Sequence, residues 1–182
     1  MTGGNATLAG VNERMLRTLM EKNPALAFAV EDPSLATTMS DAVVPLGPMI
    51  EVRGSGAENL LPARAAESAS FWRATAERLQ ADSALEAESP TRRSYASMAV
   101  AQANLFAEKG LPTEAEQAYR SAQQIAPAAL EPVSRLSRFL VSQGRREEAV
   151  RVIEEFGRAN EGQSYNVDQL RKELTAENPP RR

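Results

Sequence analysis

The chain has 182 residues, 42% of them hydrophobic and 25% charged, with 21 Lys and Arg against 24 Asp and Glu for a formal net charge of −3. That balance belongs to a globular protein large enough to bury a core, and it lacks the basic stripe that general nucleic-acid binding requires. With no His and no Cys, it excludes a Ser-His-Asp or Cys-His nucleophile system, a zinc site of the usual Cys/His type and a disulfide.

Catalysis would have to rest on carboxylates, Lys, Ser, Tyr or Arg, and no pattern of these marks a site, so the reading is of a non-enzyme with no metal and no cofactor. Cysteine absence suits cytoplasm and periplasm equally and leaves the compartment open. There is no apolar run of bilayer-spanning length and no amino-terminal signal pattern, which argues against direct membrane insertion.

Residues 1–11 are small and polar and read as a disordered tail. Residues 12–62 read as an irregular segment. Asn12 can cap a helix to Lys22 with Met15, Leu16, Leu19 and Met20 on one face, stopped by Asn23-Pro24. Prolines 24, 33, 45, 48 and 62 then break the pattern, with a brief helix expected after Asp32-Pro33. "MIEVR" at 49–53 alternates and is β-prone, but beside so much helix it is expected to be an extended segment lying across helices. The apolar residues Val43, Val44, Leu46, Met49, Ile50 and Val52 require this passage to pack on something.

Helical signal dominates 63–176. Residues 63–81 are rich in Ala, Glu and Arg, with Ala65, Trp72, Ala76 and Leu79 on one stripe facing inward. After a connection at 82–89, Ser89-Pro90 opens a helix to Lys109, expected to run antiparallel to the one carrying Trp72. Thr113 with Glu116 has capping-box spacing. Pro132 opens a further helix that turns at Gly144, and a partner helix spans 146–159. Asn166 with Gln169 reads as a capping pair for a last helix through Leu170 and Leu174. Residues 177–182 read as a second disordered tail.

Within this stretch a helix-turn-helix is written twice. Gly110 and Gly144 fall thirty-four residues apart, and the same offset pairs Leu105 with Phe139, Phe106 with Leu140, Ala115 with Ala149, and Tyr119 with Ile153. Residues 96–129 and 130–163, carrying "AQANLFAEKGLPTEAEQAYRSAQQIAP" and "SRLSRFLVSQGRREEAVRVIEEFGRAN", resemble tetratricopeptide (TPR) repeats. The resemblance implies an all-α fold, a TPR-like α-solenoid in which antiparallel helix pairs stack into a right-handed superhelix. It also implies small residues where helices approach closely (Ala103, Ala115, Ala122, Ala149), with the larger repeat residues filling between pairs. Phe156 and Glu161 depart from the family's small residue and proline, as suits a last repeat, and the helix after it would cover the open end of the stack.

In this family, ligands lie in the groove lined by the first helix of each pair. Carried onto this chain, that face gives Ser97, Val100, Asn104, Glu131, Arg135, Arg138 and Val141 as partner-binding candidates. Asn104 could grip a peptide backbone and the two arginines a carboxylate. The carboxylate clamp of chaperone-binding members uses a Lys where this chain has Val100, so that activity is disfavoured.

The function expected is a non-catalytic protein-protein interaction module that binds a peptide or partner protein. The alternative is a structural or assembly domain of a larger bacterial protein, with the 24–62 segment docking on the solenoid or on a neighbour. Oligomerisation is compatible with either. "RGSG" matches neither a phosphate loop nor a hydrolase elbow, and the Arg-rich, Lys-poor usage hints only at a GC-rich bacterial gene.

Overall fold

The computed structural model describes residues 13–26, 28–30, 43–52 and 61–176. Its described residues are mostly helical, with one small sheet. The expected tails, the brief helix after Asp32-Pro33 and the "RGSG" loop lie outside them.

Helix α1 (Glu13–Lys22) precedes strands β1 (Phe28–Val30), β2 (Val43–Leu46) and β3 (Met49–Val52). The expected lone extended segment is instead the centre of an antiparallel sheet in the order β1-β3-β2, with Ile50 opposite both Val30 and Pro45. Gly47, at φ 58, makes the tight β2–β3 turn, and Pro45 sits on an edge strand, where the ladder does not need its missing N–H. Pro45 and Pro48, two of the prolines that made this passage look irregular, are therefore compatible with pairing.

Helices α2 (Leu61–Ala81), α3 (Pro90–Glu108), α4 (Pro112–Ile125), α5 (Leu130–Ser142), α6 (Arg146–Ala159) and α7 (Ser164–Ala176) follow, with a 3-10 turn at Glu161–Gln163 before the last. The stripe expected on α2 points inward: Ala65, Trp72 and Ala76 are fully buried. Ser89 caps α3, its side chain accepting from the Arg92 N–H, and Pro90 takes the first turn.

Two expected caps are overturned. Helix α4 starts after Leu111 with no side-chain cap, because Pro112 already supplies a first helical residue without an N–H to satisfy, and Glu116 is drawn to arginines instead. Asn166 lies inside α7, which begins at Ser164 because the 3-10 turn feeds directly into it.

The thirty-four-residue recurrence is present in the backbone. Gly110 at φ 72 and Gly144 at φ 77 end α3 and α5 in the same way. Leu111 N–H donates to Phe106 O at 2.9 Å and Arg145 N–H to Leu140 O at 2.8 Å. Each glycine N–H donates to the carbonyl three residues back. Together these bonds make a Schellman motif at each turn, satisfying carbonyls that the helix end leaves open. The two hairpins, α3–α4 and α5–α6, share one core. Ala103, Ala115, Ala122 and Ala149 are fully buried, and Leu105, Phe106, Tyr119, Phe139, Leu140 and Ile153 are buried around them, with Tyr119 and Phe139 rings 5.4 Å apart across the hairpins.

Helix α2 is antiparallel to α3, since Ser68 and Trp72 meet Gln102 whereas Leu79 meets Arg92. Its closer packing, however, is against α4, where alanines line both helices. At the other end, α7 buries Leu170 and Leu174 and exposes Asp168, Arg171 and Lys172, closing that side with a polar face.

Candidate functional site

On α3, Ser97, Ala101, Asn104 and Glu108 fall at helical spacing on one stripe. Ser97 and Glu108 are exposed, Asn104 is half-buried and Ala101 forms a buried floor. On α5 the stripe is Glu131, Arg135 and Arg138, all exposed. The Ser97 hydroxyl donates to Glu131 Oε2 at 3.0 Å and joins the two stripes one repeat period apart. Beyond this bond, a cleft of about 440 Å³ opens where the starts of α3 and α5 meet, lined by Glu88, Arg93, Ser97, Leu130, Glu131 and Gln163 among others. The side chains of Asn160 and Gln163 donate to Pro127 O and Ala128 O and hold the floor of that region.

Further along α3, the Tyr119 hydroxyl donates to Asn104 Oδ1 at 2.6 Å. Burial pushes the Tyr119 hydroxyl up to about 12, against the opposing pull of Arg135 and with a further push from Glu108. The phenol therefore stays protonated and remains a donor, and Asn104 is oriented by it. Arg135 lies within electrostatic reach of that hydroxyl.

The remaining candidates are placed differently. Val100 is only 3% exposed and belongs to the core, so it cannot touch a ligand laid in the groove. Val141 is half-buried and packs against the same core. Arg138 pairs with Glu173 of α7 at 2.8 Å, so one of the two arginines expected to take a carboxylate already has one. The structure thus brings Ser97 and Glu131 together, sets Asn104 and Arg135 around Tyr119, and withdraws Val100.

Three groupings escaped the sequence reading. Arg92, 5% exposed, donates to Leu79 O, Leu85 O and Ile125 O. Gln102 is fully buried. Across the two hairpins, Arg145 pairs with Glu116 and Glu148, and Arg120 pairs with the same two carboxylates. A signal for Gln102 was available: within "AVAQANLFA" it is a polar residue with apolar neighbours on every helical face.

Chemically, the two stripes present hydroxyl, amide, carboxylate and guanidinium groups. Among the described residues, no group of three or more His, Asp or Glu is placed to hold a metal ion, and no helix is long and apolar enough to cross a membrane. No protein-family model, no curated protein and no solved structure matches this chain.

Proposed function

We propose that this chain is a non-catalytic protein-protein interaction module, a TPR-like α-solenoid that holds an extended segment of another protein in the groove between α3 and α5. The observation that carries this reading is the Ser97–Glu131 bond, which spans one thirty-four-residue period and joins two exposed polar stripes. The matching Schellman turns at Gly110 and Gly144 support the repeat. Ser97, Asn104, Glu131 and Arg135 are the contact residues on this reading. Arg138 acts through its hold on α7, and the two valines support the groove from within.

The test is site-specific photo-crosslinking in the source cell from position 97 or 104, with position 117 on the exposed side of α4 as control. A partner trapped from the groove positions, missing from the control and lost on Arg135→Glu, supports the reading. Equal trapping from all three positions, or trapping indifferent to Arg135→Glu, overturns it.

A second reading, a structural or assembly domain of a larger bacterial protein, is favoured by one specific contact. The β2–β3 turn is hydrogen-bonded to Gln102 of α3, so the amino-terminal segment docks on its own helices. Loss of assembly of the parent protein when the sheet is deleted, with groove variants silent, would favour it over the first.

A further inference from the structure

Gln102 sits in the middle of α3 with no solvent exposure, and its carboxamide is used to capacity. Oε1 accepts from the Ser68 hydroxyl and from Trp72 Nε1, the latter at 3.0 Å. Nε2 donates to Gly47 O at 2.8 Å and to Met49 O at 3.0 Å. The orientation of the amide is dictated by its partners, because an indole N–H can only donate and a carbonyl can only accept. One side chain therefore ties α2, α3 and the β2–β3 turn together.

The sheet it holds is small. Its strands have three, four and four residues, and a sheet this small needs a second layer to persist. That layer is α2, against which β2 lies, with Val43, Ile50 and Val52 entering the same core as Trp72. The two helical hairpins, by contrast, are joined through Ala, Leu and Phe side chains and through four charged groups.

A partly broken set would leave the Trp72 N–H, the Ser68 hydroxyl or a backbone carbonyl buried without a partner, which is worse than either the complete set or full hydration. We propose that the three-stranded sheet is a strap that opens and closes on the helical body as one unit, with Gln102 as its latch and the Trp72 face of α2 as the surface it covers. This goes beyond the groove reading and does not depend on it. Opening would bare an apolar face of α2 that the closed form withholds from solvent, while leaving the groove stripes of α3 and α5 in place.

The experiment is hydrogen exchange of the full chain and of Gln102→Leu, read by peptide. The strap predicts that β3 amides exchange faster in the variant by about tenfold or more, the effect of losing even one of the four hydrogen bonds that Gln102 makes. Amides of α4 to α6 should stay within about twofold, a change well short of one such bond. Unchanged β3 exchange, or acceleration of β3 and α4 to α6 by the same factor, overturns the proposal. If Gln102→Leu does not fold, wild-type exchange in sub-denaturing urea decides. Opening of β3 at lower urea than α4 to α6 supports the strap, and one common opening refutes it.

Discussion

Single residues show where polar groups carry structure here. Arg92 closes three carbonyls, and two of them, Leu79 O and Ile125 O, fall in the last turn of α2 and of α4, where no intrahelical donor remains. Arg92→Met keeps the stem but strands those carbonyls, and should lower stability by about 3 kcal/mol in urea denaturation. Ser137 is the converse case. Among the described residues, its hydroxyl is the buried side-chain polar atom without a partner. Ser137→Ala should raise stability by about 1 kcal/mol, visible as a higher Tm.

At the scale of elements, the two interhelical turns can be compared directly. A Cβ at Gly110 or Gly144 would meet nothing within 4 Å, yet both backbones are left-handed. The cost of an alanine is then the backbone conformation alone, with no steric difference between the sites. Gly110→Ala and Gly144→Ala should each destabilise by about 1 kcal/mol and agree with one another within about 0.5 kcal/mol. A clearly larger loss at one site would show that the two hairpins are not equivalent units. The sheet teaches the opposite lesson about reading elements locally. Met49–Val52 carried a strand signal, and β2 pairs with it as a local hairpin turned at Gly47, but Ala29 of β1, opposite Glu51, lies 22 residues away. Nothing local to "MIEVR" identifies that second neighbour.

The charged cluster that joins the hairpins acts on the molecule as a whole. The hydrogen bond from Arg145 is the main reason that Glu116 and Glu148 are both held below the usual carboxylate value of 4.5, with Arg120 adding to it and partial burial opposing. A carboxyl whose folded value is depressed contributes stability that is complete above its unfolded value and is lost as pH falls through the folded one. Tm should therefore hold steady through neutral pH and fall below about 4.5. Glu116→Gln combined with Glu148→Gln should flatten that acid arm while lowering the neutral plateau only slightly, because these pairs are partly solvated. An acid arm unchanged in the double variant would place the acid sensitivity elsewhere in the chain.

What was legible in the sequence was what short-range chemistry dictates. Apolar spacing and alanine content defined α2 through α6, Gly110 and Gly144 marked their turns, and the larger residues paired at thirty-four-residue offsets are buried. Of the candidate site, Ser97, Asn104, Glu131 and Arg135 were named from the resemblance, and of these Ser97, Glu131 and Arg135 are exposed and Asn104 is half-buried. Tertiary structure decided the rest. It buried Val100 against neighbouring helices, spent Arg138 on Glu173, turned Gln102 and Arg92 inward, and joined the β2–β3 hairpin to the distant β1 in one sheet. The physical reason is common to all four. Periodicity says which residues share a face, but only the packing of elements remote in sequence says what covers that face and which polar groups find their partners there.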